Sequence, residues 1–198
     1  MMALILGLII FMGVHSVRIV SDDFRTRQIE RIGKSTWRGM YAALSLVGFV
    51  LIVVGYGTAR SAPQVVWIPP LWTAHVAMLL TIPAFILVVS SFVPGTRIRN
   101  KLGHPMVLGI KVWAFAHLLA NGMLADILLF GTFLVWSIAA YASGRRRDRK
   151  AGTVYTVGPV YRDVIAVVAG LVAWLVFAMW LHVLLIGVSP IRMAVAGG

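Results

Sequence analysis

The chain has no cysteine, and only six of its 198 residues are Asp or Glu. The first absence excludes disulfides, thiolate zinc sites, iron–sulfur clusters and the CxxCH attachment of c-type haem. The second leaves the apolar stretches almost without carboxylates, so a proton path along buried Asp and Glu is not expected. Long polar stretches are scarce too. Apolar residues make up 60% and charged residues 12%, which leaves no room for a separate soluble catalytic domain. That balance fits a polytopic α-helical membrane protein. The chemistry that remains is imidazole. His15, His75, His104, His117 and His182 all lie inside or at the rim of apolar segments. A polar ring is costly in hydrocarbon, so each is a functional candidate.

The apolar pattern predicts an all-α integral membrane bundle of about six transmembrane helices, forming one membrane domain over 1–198. The expected spans are 2–17, 39–58, 71–93, 105–121, 123–143 and 163–188. Each covers much or all of a hydrocarbon core of about 30 Å at about 1.5 Å per residue. The first run, MMALILGLIIFMGVHS, lacks a positive n-region and an A-x-A site, so it reads as a retained helix rather than a signal peptide.

The net charge of +12 would suggest nucleic acid as the partner of a soluble protein. Here the bases sit in the connections between spans, where they act as topology signals and contacts to anionic lipid. Connections one, three and five carry six, three and six Lys and Arg. Connection two carries only Arg60, connection four none, and the C-terminal end only Arg192. The positive-inside rule therefore places connections one, three and five in the cytoplasm and both termini outside. Trp67 and Trp72 then mark the outer interface and Trp37 the inner one. Asn121-Gly122 leaves almost no loop between spans four and five, and His104-Pro105 suits a helix start. Pro83 should kink span three. No internal repeat is evident, which weakens a transporter reading.

His117 sits deepest in span four, with Trp113, Ala114 and Asn121 on the same helical face. Small Ala114 leaves room for a flat ligand, and Trp113 can stack on one. The competing reading is an interhelical hydrogen bond. His15 lies one turn before Arg18, whose charge suits an anionic group beside the imidazole; the competing reading is a helix-end histidine. His104 reads as a cap or interface residue. His75 and His182 read as satisfied interhelical hydrogen bonds, with proton relay or ligand support as the alternatives. Lys111 snorkels to the cytoplasmic side and Asp126 is interfacial.

Zinc wants a third or fourth ligand, and copper wants a tight His/Met constellation that is missing. Haem b needs one or two neutral histidines, an apolar slot and a base near its propionates. A pairwise haem site is the best chemical fit to this residue set.

Several stretches carry a family resemblance. They are GVHSVRIV, WRGMYAALSLVGFVLIVVGYG, IPPLWTAHVAMLLTIPAFILV and, most specific, RNKLGHPMVLGIKVWAFAHLLANG running into DILLFGTFLVWS. They resemble the NnrU family from about residue 2 to 141, and the likeness fades beyond. The resemblance implies a multi-pass protein of the bacterial inner membrane, associated with denitrification and nitric oxide metabolism. It also implies kinship with the plastid zeta-carotene isomerase, a haem b enzyme with two axial histidines. The residues that look like those ligands are His15 and His117. His104, in the GHP element, looks like a further shared histidine. Ala114 departs from that relative, which has a sulfur residue there, and this departure argues against carrying over both redox ligand exchange through sulfur and the isomerase activity.

The resulting expectation is a haem b site with His15 and His117 as metal ligands. Arg18 pairs with a propionate, while Trp113 and Ala114 shape the slot. His104, His75 and His182 form a second tier. Span ends put His15 roughly 5–9 Å and His117 roughly 18 Å from the inner surface, so pairing them requires tilt or shifted span ends. The implied ligands are nitric oxide or an isoprenoid polyene, giving a haem-dependent isomerase or redox protein. The alternatives are a non-catalytic accessory or sensor protein of nitric oxide metabolism and, third, a small-molecule transporter.

Overall fold

A single apolar segment in lipid must satisfy its backbone internally, which only a helix does. The computed structural model describes residues 1–191 and follows that rule. Its elements are α1 (Met2–Val20), α2 (Asp22–Ile32), α3 (Lys34–Ser61), α4 (Leu71–Ser90), α5 (Arg97–Leu102), α6 (Pro105–Ala120), α7 (Leu124–Ala151) and α8 (Tyr161–Val176). A π turn at Phe177–Leu181 joins α8 to α9 (His182–Ile186). Among the described residues there is no strand, only one isolated bridge between Val65 and Met123.

The fold is that of an all-helical membrane protein. Among the described residues five helices are long and apolar enough to cross a bilayer: α1, α3, α4, α7 and the continuous run Tyr161–Ile186. The sixth expected span, α6, is shorter at 16 residues. Leu79, Val135 and Leu184 are exposed on these helices, as lipid-facing side chains should be. Arg192 lies outside the described residues.

The chain divides into two compact units. The first contains residues 1–66 and 123–132, hence α1, α2, α3 and the start of α7. Here α1 packs along α3 through three glycines. A Cβ on Gly7 would lie 2.6 Å from the Ile52 nitrogen, and one on Gly48 would lie 2.8 Å from the Phe11 nitrogen. A Cβ on Gly55 would run into the Leu4 backbone. Small residues allow this approach, which matters because lipid offers no hydrophobic drive between helices. Leu4, Leu8 and Ile52 fill the seam.

The second unit contains residues 67–122 and those from 133 onward. In it α4 packs against both α6 and α8. A Cβ on Gly109 of α6 would lie 2.7 Å from the Ala84 carbonyl oxygen. Trp174 Nε1 donates to Thr81 Oγ1 at 3.0 Å. The helix α4 runs through Pro83 without ending.

Several expectations need correction. Connection one is not merely a linker, because Asp22–Ile32 forms α2. Ser21 Oγ caps it by accepting from the Phe24 nitrogen at 3.2 Å, and Asp22 and Asp23 favour the positive helix start. The helix of the fifth span does not stop at 143. It continues to Ala151, where Arg145 and Asp148 pair at i,i+3 and Arg147 donates to Ser143 Oγ. Asp126, in the first turn of α7, is buried by protein at 4% exposure. Its carboxylate accepts from Tyr56 Oη at 2.6 Å and from the Met123 nitrogen at 3.2 Å, the latter as the N3 arm of a capping box.

Candidate functional site

Five histidines were candidates, and the structure gives each a distinct setting. His15 is half-buried near the end of α1, in the first unit. Its Nδ1 lies 2.7 Å from the Phe11 carbonyl oxygen, one turn back. The Phe11 ring stacks on the imidazole at 4.1 Å between centroids, and Tyr41 lies tilted at 5.1 Å.

His117 stands near the end of α6, in the second unit, and repeats this arrangement. Its Nδ1 lies 2.8 Å from the Trp113 carbonyl oxygen. The Trp113 ring packs against it at 5.0 Å and is itself met edge-on by Phe133 at 5.6 Å. Asn121 Nδ2 donates to the His117 carbonyl oxygen at 2.8 Å and closes the helix end.

The chemical consequence is the same for both rings. A carbonyl oxygen can only accept, so Nδ1 carries the proton and Nε2 carries the lone pair. A backbone carbonyl on one imidazole nitrogen is the usual way a ligating histidine is oriented and made more basic at the other. Each has an aromatic residue four positions earlier, whose carbonyl and ring both act on the imidazole.

None of the other histidines has an aromatic residue four positions earlier. His104 is the N-cap residue of α6, ahead of Pro105. Its Nε2 lies 3.0 Å from Asp148 Oδ2, and its ring covers Gly144 and meets Tyr141 edge-on. Its side chain makes no capping hydrogen bond to α6 and is instead a partner of a carboxylate on α7. His182 Nδ1 lies 2.7 Å from the Val188 carbonyl oxygen, just past the π turn, and Phe177 meets the ring edge-on. His75 is exposed on α4.

Among the described residues no three His, Cys, Asp or Glu side chains gather as a metal cluster. The second-tier histidines are therefore not brought together as a three-ligand site. Arg18 is exposed and pairs with Asp22 at 3.3 Å. Ala114 is fully buried by protein.

Sequence reasoning missed several polar partners. Phe11 was detectable from its i−4 spacing to His15. Tyr41, the Tyr56–Asp126 bond and the contacts of Asp148 are long-range and carried no local signal. Asp148 also accepts from Tyr155 Oη at 3.0 Å. Burial first, then the hydrogen bond to Asp148 and its negative charge, raise the Tyr155 phenol above its ordinary range.

Each unit also has a small cavity. One of about 180 Å³ in the first unit is lined by Ala59, Arg60, Gln64 and Met123 among others. One of about 230 Å³ in the second is lined by Arg99, Tyr155 and Thr156 with Pro94, Gly95 and Val154. Neither touches a histidine.

Comparison with known families gives one match. The model of the family described as NnrU protein matches residues 3–190. The likeness thus runs through the last span, well past the residue 141 limit read from the motifs. No curated protein and no solved structure matches.

Proposed function

The chain belongs to the NnrU family, and with that as the premise we propose that it is an integral membrane haem b protein reactive toward nitric oxide. In this reading His15 and His117 would hold the haem iron. The observation that carries it is the setting the two rings share: each Nδ1 meets the carbonyl of an aromatic residue one turn earlier, at 2.7 and 2.8 Å, and that residue's own ring packs on the imidazole. The donor set supports a haem rather than a bare metal ion. Haem needs only one or two imidazoles, and no three-ligand cluster occurs among the described residues.

The chain's own residues have definable tasks. Phe11 and Trp113 hold the two imidazoles by carbonyl and ring together, which limits rotation about χ2. Arg18 sits one turn beyond His15 in an exposed ion pair with Asp22. Such a pair is worth little, so its guanidinium can turn to a propionate at small cost. Trp113 and Ala114 border His117 on α6. If bound, haem would supply an iron centre able to take up nitric oxide once one of the two histidines let go. The alternating Lys and Arg content of the connections supports a multi-pass orientation with the basic connections on the cytoplasmic side.

Adding nitric oxide to the purified, dithionite-reduced protein tests this function. The expected result is a shifted Soret band with tight uptake. A haem-containing protein whose spectrum ignores nitric oxide would overturn the nitric oxide reading and leave polyene isomerisation or an accessory role.

A further inference from the structure

One end of the second unit concentrates positive charge around a defined cavity. Segments 94–104 and 144–163 carry nine Lys and Arg, three in the first and six in the second, against two carboxylates. Both carboxylates are engaged. Asp148 faces His104, Arg145 and Tyr155, and Asp163 Oδ1 accepts from the Ile98 nitrogen at 3.3 Å. The charge excess is therefore not cancelled locally.

The two segments are held to each other at several points. The Gly158 nitrogen donates to the Gly95 carbonyl oxygen at 2.8 Å, and Arg162 Nη1 donates to that of Pro94 at 3.0 Å. Asn100 Nδ2 donates to the Tyr155 carbonyl oxygen. Between them lies the cavity of about 230 Å³, with Arg99, Tyr155 and Thr156 as its polar lining. The Arg99 guanidinium lies over the Tyr155 ring at 5.7 Å, which orients it. Arg97 and Lys101, one turn apart on α5, are exposed beside it.

We propose that this cavity binds the phosphodiester headgroup of an anionic phospholipid, with Arg99 as the phosphate ligand. Guanidinium matches two phosphate oxygens at once, and the Thr156 hydroxyl adds a donor. A water occupies about 30 Å³ of liquid, so the cavity has room for a phosphate and its glycerol. Lipid is favoured over free phosphate by what flanks the cavity. Phe92, Val160, Tyr161 and Val164 are exposed near the ends of the apolar helices, where acyl chains would lie. The cavity sits at the polar end of those helices, which is headgroup depth.

The test uses the full chain purified in a neutral detergent. Phosphatidylglycerol, phosphatidylcholine and free glycerol phosphate are titrated in turn, and retained lipid is counted by native mass spectrometry. Phosphatidylglycerol should be held in preference to phosphatidylcholine, with little competition from glycerol phosphate. Arg99→Gln should weaken retention about fivefold, the effect of one base near an anionic surface. Arg99→Lys, which keeps the charge and loses the fork, should fall between. The double variant Arg27→Gln/Arg31→Gln, on exposed positions of α2 in the first unit and outside both segments, should retain lipid nearly as the parent does. Equal retention of both lipids, or an Arg99→Gln protein of unchanged helicity that binds like the parent, would overturn the proposal. Competition by glycerol phosphate at the lipid's own concentration would make this a soluble phosphate site and overturn the lipid assignment.

Discussion

His117→Ala should purify with at least about tenfold less haem than the parent protein. Loss of a residue that merely orients a ligand costs about 10–100-fold in metal affinity, so loss of the ligand itself should cost no less. The helix will tolerate the change. Alanine is the best helix former, and the Asn121 bond at the end of α6 uses the backbone carbonyl of position 117, which the variant keeps. Two comparisons separate ligation from general damage. His182→Ala removes an imidazole whose Nδ1 contact lies on the Val188 carbonyl beyond α9, and it should leave haem content unchanged. Trp113→Leu keeps the carbonyl that meets Nδ1 but removes the ring, so it should lower haem content only modestly. Pyridine haemochrome assay against protein concentration reads all three. Full haem content in His117→Ala would remove that residue from the ligand set.

Gly55→Leu should produce the largest loss of stability of any single change in the first unit. Any Cβ at this position runs into the Leu4 backbone, and backbone cannot turn aside as a side chain can. The neighbouring approaches of Gly7 and Gly48 fix the same seam, so α1 cannot slide along α3 to make room. Overpacking of this kind costs about 1–3 kcal/mol, and more where backbone must separate. In lipid the loss is not offset by burying apolar surface elsewhere, because helix association there depends on close contact. Gly57 gives the control. It lies on the same helix with nothing within 4 Å of a Cβ, so Gly57→Leu should be nearly silent. Thermal unfolding in detergent measures the difference, and equal midpoints for the two variants would show that the seam is not the constraint described.

Some of this architecture could be read directly from the residues. The boundaries of α6 were clear because His104-Pro105 and Asn121-Gly122 carry their own start and stop chemistry. The apolar runs of α1, α3, α4 and α8 were clear because a bilayer demands them. By contrast, DDFRTRQIERI lacks an apolar run and reads as a charged link, although Ser21 and the two aspartates that follow were cap signals in plain view. The extent of α7 was hidden because RRRDRK looks like a solvated stretch, while its helicity comes from i,i+3 and i,i+4 pairing. The burial of Asp126 was hidden because its partner, Tyr56, is seventy residues away in sequence. The histidines were legible as candidates, but not the tautomer of each. That depends on where a carbonyl lies relative to Nδ1, which hydropathy and spacing do not encode. Only the recurrence of an aromatic residue four positions before His15 and His117 foreshadowed their common setting.

The most direct measurement is the absorption spectrum of the wild-type protein after haem-replete expression, recorded oxidised and then reduced. A Soret band with the sharpened α and β bands of a six-coordinate ferrous haem, at about one haem per chain, is the result expected if two imidazoles hold the iron. A colourless protein, folded and helical by circular dichroism, would contradict the account.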